Sequence, residues 1–416
     1  MTISNIYSEM EAFRIKFTEE DVDNAKKYKY NGTDKSIFAK LFLRRWWDFC
    51  INYIPMTIAP NLITLIGFLA EVFSFIVSMF TSKMLAQPIP RWNCFLNGIS
   101  LFFYQTLDNL DGRQARRTNT SSPLGQFFDH GCDALTGVFE LMKFAATLNL
   151  GQSPVTFYFV FLMGIGFMYT SLEEYVLHEF NLGVVNGPDE GLFLISIVHV
   201  LATITPNWLV VKIFNNVFFY VMFVVGVVLT ILPILVNIFN KSKGDTERIN
   251  RFLIATAYCL IPIVLYLFIG NVLKGCLNNV LFTLSASLTL QFQAQTIIFS
   301  FLTKRKPNQL FTNSVITIWG ASIVFFLLAL ITKFLNIFGV LFVGIICLII
   351  MFDIDICFGL SKGLHIPILT IPNEKEEDLN IEIYKNDDEK EEEEEEFQQE
   401  EPKEVSMNLF KDVKEE

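Results

Sequence analysis

Between residues 59 and 352 the chain alternates long apolar runs with short polar connectors. The runs fall at roughly 59–80, 92–110, 127–148, 155–172, 192–204, 216–239, 252–272, 279–302, 311–333 and 335–352. At ~20 residues per bilayer crossing, this pattern predicts about ten transmembrane helices, with 192–204 the shortest. The expected fold class is all-α: a polytopic helical bundle in a lipid bilayer. Ahead of it, residues 1–33 are polar, and residues 34–54 have the period of an amphipathic helix. Phe38, Phe42, Trp46, Phe49 and Tyr53 share one face, and Lys40, Arg44 and Asp48 another. That pattern suits an interfacial helix among lipid headgroups, or a cover helix packed on the membrane domain. Beyond Pro372 the chain turns rich in Glu and Lys, with an unbroken Glu391–Glu396. Such a segment cannot bury a core and is expected to be disordered. The organisation is then 1–57, a cytosolic segment with the amphipathic helix; 58–372, the membrane domain; and 373–416, the acidic tail.

Composition sharpens this picture. Of 416 residues, 52% are hydrophobic and 43 are Phe, and the mean hydropathy is +0.42, which excludes a soluble enzyme. The net charge of −11 comes from the tail, and no nucleic-acid partner is expected. Seven scattered cysteines, an odd number without metal-ligand spacing, argue against a disulfide framework. Met1 to Asn31 is too polar for a cleavable signal peptide, so the first span is expected to direct insertion. Basic residues cluster around Lys40, Arg44 and Arg45, then Arg113, Arg116 and Arg117, then Lys241 to Arg251, then Lys304 to Lys306. With ten spans all four clusters fall on one side, which the positive-inside rule makes cytosolic, together with both termini.

Candidate chemistry lies where the second and third runs meet. Asp108 and Asp111 are three apart, and Asp129 and Asp133 four apart, so each pair shares a helix face. A polar hairpin, Arg116 to Pro123, separates them, which predicts antiparallel helices and four converging carboxylates. An ionised Asp in the bilayer centre costs about 2.5–3.5 kcal/mol on the insertion scale. A hard cation, Mg²⁺ or Mn²⁺, would offset that cost and could also hold substrate phosphates. The bland alternative is four solvated charges at helix ends, or pairs neutralised by Arg113, Arg116 and Arg117.

Asp108, Asp111, Gly112, Ala115, Arg116, Gly125, Asp129 and Asp133 match the pattern D-x2-D-G-x2-A-R-x8-G-x3-D-x3-D residue for residue. In this the chain resembles the CDP-alcohol phosphotransferases. The intervening residues and the following Phe-Phe-Asp-His-Gly-Cys-Asp-Ala-Leu resemble the eukaryotic choline/ethanolamine phosphotransferase branch. The resemblance implies metal binding by the four aspartates, with Asp133 also placed as the base that takes the attacking hydroxyl's proton. It implies that Gly112, Ala115, Arg116 and Gly125 contact the CDP-alcohol, and that Asn61 and Thr64 lie near the nucleotide. Glu173, Tyr175 and Glu190 match the branch's headgroup or lid segment, although Leu172 replaces its Trp and His178 is not at its usual His position. Resemblance beyond residue 195 is limited to hydropathy.

The implied reaction transfers phosphocholine or phosphoethanolamine from CDP-choline or CDP-ethanolamine to diacylglycerol, releasing CMP. The enzyme would be a cholinephosphotransferase or ethanolaminephosphotransferase of the endoplasmic reticulum or Golgi membrane, its site facing the cytosol, with a homodimer admissible. Ceramide or inositol chemistry is the alternative within the family. An ion-coupled secondary transporter is the alternative outside it, though no inverted repeat of the aspartate hairpin occurs in the second half. Truncation after Pro372 should leave turnover and the thermal transition of the membrane domain largely unchanged. A well-folded truncated protein without turnover would refute the reading of the tail as dispensable.

Overall fold

The computed structural model describes residues 14, 15, 17–183, 186–205, 228 and 231–372. The predicted acidic tail and most of the predicted span 216–239 lie outside these residues. The contact pattern divides the chain between Ile371 and Pro372, and all the described helices and strands lie before that break.

The elements in chain order are α1 (Glu19–Lys26), β1 (Gly32–Asp34), α2 (Arg44–Cys50), α3 (Pro60–Thr81), α4 (Arg91–Arg117), α5 (Pro123–Thr147), α6 (Pro154–Leu177), β2 (Phe180–Leu182) and α7 (Leu192–Ile204). They continue with α8 (Ile231–Lys241), α9 (Thr246–Val272), α10 (Val280–Leu302), α11 (Asn313–Thr332) and α12 (Phe338–Leu364). The fold is all-α apart from one short parallel pairing, Gly32–Asp34 against Phe180–Leu182. Helices occupy every predicted apolar run outside 216–239. Among the described residues, six are long and apolar enough to cross a membrane: α3, α6, Gly187–Ile204, α9, α11 and Leu335–Leu364. The predicted count of ten stays an expectation.

Local sequence explains where the helices start. Pro60, Pro123 and Pro154 each stand in the first turn, where a missing N–H costs nothing. Ser122 and Ser153 cap the latter two by accepting from Gly125 N and Thr156 N. Helix α4 has 27 residues, hence a length of about 40 Å. That exceeds a hydrocarbon core of about 30 Å, and most of its charged residues gather at the end carrying Asp111 to Arg117. At the centre, α10 is buried along nearly its whole length and is packed by α5, α6, α9 and α12. Its polar residues tie helices together: Gln293 donates to Tyr258 O at 3.0 Å, and Gln295 to Gly131 O at 3.1 Å.

The amphipathic segment is helical from Ala39 to Tyr53, through a π turn, α2 and a 3₁₀ turn. Its packed face is a third one, not singled out by the pattern of aromatics and charges. Ala39, Leu43, Trp47 and Ile51 lie on Ile63 and Leu110. Phe42, Trp46, Phe49 and Tyr53 stay exposed as an outward stripe. Arg113 reaches Asp48 and stacks over Trp47, while Gln114 donates to Pro55 O and Ile58 O, which fixes this segment to the end of α4.

A second charged cluster lies within the helices. Lys143 Nζ is 2.5 Å from Glu71 and 2.7 Å from Glu140, and His199 Nε2 is 2.7 Å from Glu140. Thr147 completes the chain at 2.7 Å from His199 Nδ1. All four charged or titratable groups are fully buried, and they join α3, α5 and α7. Lys143→Met leaves two buried carboxylates without their shared cation. Breaking a buried ion pair costs about 3–5 kcal/mol, so this variant should show a large fall in thermal transition temperature in detergent. A transition matching the parent's would show that the cluster does not hold these helices.

Candidate functional site

The predicted antiparallel hairpin is present. Helix α4 ends at Arg117, Asn119 adopts a left-handed conformation at φ 56°, and α5 begins at Pro123. Thr118 Oγ1 bonds both Gln114 O and Thr120 Oγ1 at 2.8 Å, and Thr120 N bonds Ala115 O at 2.8 Å, which closes the turn. Facing ends of α4 and α5 then bring Asp108, Asp129 and Asp133 together, with one oxygen of each inside a common 4.8 Å sphere of separation.

Each member of the cluster has a distinct setting. Among the described residues, Asp108 Oδ1 and Asp129 Oδ1 are buried without any hydrogen-bond partner. Asp133 Oδ1 accepts from Tyr104 OH at 2.5 Å. No Lys or Arg forms a salt bridge with any of the three among the described residues, so Arg113, Arg116 and Arg117 do not neutralise them there. Two orphaned carboxylate oxygens and an all-oxygen donor set fit a hard divalent cation. Asp111 stands beside this trio and is not part of it. Its carboxylate accepts from Thr64 Oγ1 and, at 2.5 Å, from Gly112 N. Thr64 is thereby brought to the site, holding Asp111.

The remaining candidates divide. Gly125 N donates to the Ser122 cap, and a methyl added at Gly125 would meet Asn61 Oδ1 only at 3.5 Å. At Gly112 an added methyl would meet Arg116 Nη1 at 3.6 Å. Neither spacing forbids a side chain, so packing inside the protein does not require these glycines; a close-lying ligand would. Ala115 is half-buried and Arg116 exposed on the same end of α4. Asn61 Nδ2 is spent on Ile368 O at 2.8 Å. The headgroup or lid candidates do not hydrogen-bond the aspartates. Glu173 accepts from Asn237 at 2.5 Å, Tyr175 donates to Arg305 O at 2.9 Å, and Glu190 holds residues 36–38.

One residue escaped the motif-based reading. His130, between Asp129 and Gly131, has Nδ1 3.9 Å from Glu174 Oε2 and Nε2 2.9 Å from the Gln126 amide. His130 lies three residues before Asp133, on the same side of α5. Its position inside Phe-Asp-His-Gly-Cys-Asp was the available signal. His178, by contrast, is unsuited to accept a proton. Burial, then the charges of Arg251, Arg248 and Lys304, lower its imidazole to about 4, and Arg251 already donates to its Nε2 at 2.8 Å.

The family model described as CDP-alcohol phosphatidyltransferase matches residues 57–232. An uncharacterised CDP-alcohol phosphatidyltransferase class-I family protein of Dictyostelium discoideum is 44% identical over 175 residues, covering 42% of this chain and 44% of that protein. A choline/ethanolaminephosphotransferase of Arabidopsis thaliana is 45% identical over 178 residues, covering 43% and 45%. A cholinephosphotransferase of Rattus norvegicus is 36% identical over 177 residues, covering 42% and 44%. The matched part thus spans just under half the length of these relatives.

Asp129→Asn should abolish Mn²⁺ binding to the purified protein, read by electron paramagnetic resonance without substrate. Tyr104→Phe, which removes the hydrogen bond orienting Asp133, should weaken it roughly 10- to 100-fold. Unchanged Mn²⁺ affinity in both variants would remove the trio as a metal site.

Proposed function

We propose that the protein, whose residues 57–232 match the family model described as CDP-alcohol phosphatidyltransferase, transfers phosphocholine or phosphoethanolamine from its CDP carrier to diacylglycerol, with CMP as the second product. The observation that carries this reading is the half-buried trio Asp108, Asp129 and Asp133, with buried oxygens on Asp108 and Asp129 and no cationic partner of its own among the described residues. Mg²⁺ or Mn²⁺ held there supplies positive charge for pyrophosphate oxygens and for the departing CMP. Gly112 and Gly125 leave room for the nucleotide against the helix backbones. Thr64 fixes Asp111, and Arg116 adds positive charge at the exposed rim.

In the transfer, the acceptor's hydroxyl oxygen bonds to the phosphorus bearing the alcohol, the bond from that phosphorus to the CMP oxygen breaks, and the hydroxyl proton passes to a base. The motif assigns that proton to Asp133. The geometry favours His130, because Asp133 already accepts from Tyr104 and belongs to the carboxylate trio. His130 Nε2 lies 2.9 Å from the Gln126 amide, which must turn away before the ring takes that proton. The basic clusters support a cytosol-facing site. Arg113 pairs with Asp48, Arg305 with Asp21 and Lys241 with Glu179, which gathers three of the clusters at one end of the bundle. The membrane is that of the endoplasmic reticulum or Golgi in this reading.

The test uses full-length protein in detergent, with CDP-choline and CDP-ethanolamine competing for diacylglycerol. Transfer should require Mg²⁺ or Mn²⁺, and full activity in excess EDTA would overturn the metal requirement. Transfer only to ceramide or inositol would overturn the acceptor. His130→Asn should keep CDP-alcohol binding by calorimetry and lose roughly 10²- to 10⁴-fold in kcat. If Asp133→Asn shows that pattern instead, with His130→Asn near parental, the base is Asp133.

A further inference from the structure

We propose that residues 18–38 form a strap over the aspartate end of the bundle, latched by Glu190, and that Tyr28 within it donates its hydroxyl to a phosphate oxygen of the bound CDP-alcohol. The Tyr28 part rests on the transferase reading above; the strap and its latch do not.

The strap is stitched to separate parts of the membrane domain. Asp21 takes a two-pronged bond from Arg305, Nε to Oδ1 at 2.7 Å and Nη2 to Oδ2 at 2.8 Å. Asn24 donates to Thr303 O at 3.1 Å. Further along, Phe180 N donates to Asn31 O at 2.9 Å, and the short β1–β2 pairing continues that contact. Helix α1 crosses the end of α12 closely. A methyl added at Gly363 would come within 2.6 Å of Val22, and one at Gly359 within 2.3 Å of Phe17 just before the strap. Only residues without a side chain permit that approach.

Glu190 closes the far end. Its carboxylate, buried at 3% exposure, accepts from Ser36 Oγ at 2.6 Å and Phe38 N at 3.0 Å, and from Asn186 N at 2.9 Å. Three donors to one carboxylate satisfy it without any cation, and two of them belong to the strap. Glu190 therefore holds the strap to the loop before α7.

Tyr28 lies between these fixed points. Its ring packs edge-on against Phe301 at 5.7 Å, which sets its direction. Its hydroxyl is buried and has no hydrogen-bond partner among the described residues. Burial, then the negative charges of Glu174 and Asp129, hold the phenol above its ordinary value, so it remains a donor. A buried donor without an acceptor, in the field of an aspartate of the trio, is one that a phosphate oxygen would satisfy.

The experiment uses full-length protein in nanodiscs with Mg²⁺. Hydrogen–deuterium exchange of residues 31–38 should speed up in Glu190→Ala without substrate, while exchange in α10 stays parental. Ser36→Ala, which removes one bond of the latch, serves if the first variant does not fold. CDP-choline or CDP-ethanolamine should slow exchange of residues 18–38 in the parent. Tyr28→Phe should weaken CDP-alcohol binding roughly 3- to 10-fold by calorimetry, the loss of one neutral hydrogen bond. It should raise KM by a similar factor with kcat little changed. Parental exchange in the folded latch variants would overturn the strap. Parental affinity in Tyr28→Phe would overturn the role of its hydroxyl. If the parent binds neither CDP-alcohol, the transferase reading and the Tyr28 assignment both fall, while faster exchange in the latch variants still upholds the strap.

Discussion

A charge in a low-dielectric interior must be matched, and this molecule matches its buried carboxylates in two ways. Glu71 and Glu140 are answered from within the protein by Lys143, with His199 beside them. Asp108 and Asp129 are left with bare oxygens, and Asp133 has only a tyrosine hydroxyl. A sequence that can place a lysine between two acids in the same helical bundle does not lack the means to do so at the aspartate trio. The bare oxygens there fit a divalent cation, and the residues around them leave that space open. Thr64 draws Asp111 aside, Gly112 and Gly125 add no bulk, and the arginines at the end of α4 turn outward or to the N-terminal segment.

The helical framework and the trio were legible because both are written in short-range patterns. Apolar runs of bilayer length, proline in first turns and carboxylates at i,i+3 and i,i+4 need no knowledge of the fold. The Lys143 cluster was not legible. Glu71, Glu140 and Lys143 are single charges inside apolar runs, and their pairing spans 72 residues. The N-terminal strap was invisible for the opposite reason: residues 18–38 are polar throughout, and their order comes from partners up to 284 residues away. The amphipathic segment lies between these cases. Its aromatic stripe was readable, but Ala39, Leu43, Trp47 and Ile51 gain meaning only once Ile63 and Leu110 are seen to receive them.

The headgroup candidates each have a partner within the protein. Glu173, Tyr175 and Glu190 stand where the resemblance places them in sequence, yet their side chains are engaged by Asn237, Arg305 and the strap. The acidic residue beside them, Glu174, faces His130 instead. One residue along a helix is a turn of about 100°, so a carboxylate one place away addresses a different compartment.

The crossing of α1 over α12 has a consequence for how the molecule is made. Phe17 and Val22 rest against Gly359 and Gly363, and Arg14 pairs with Asp355 at 3.3 Å. Synthesis proceeds from the N-terminus, and segments normally settle as they emerge. Here Phe17 and Val22, although Phe17 also packs on Phe299 of α10, lack one side of their seat until α12 has been translated and inserted. The segment can engage Phe180, Glu190 and Arg305 as each emerges, but its closing contact with α12 forms only after those helices are in place.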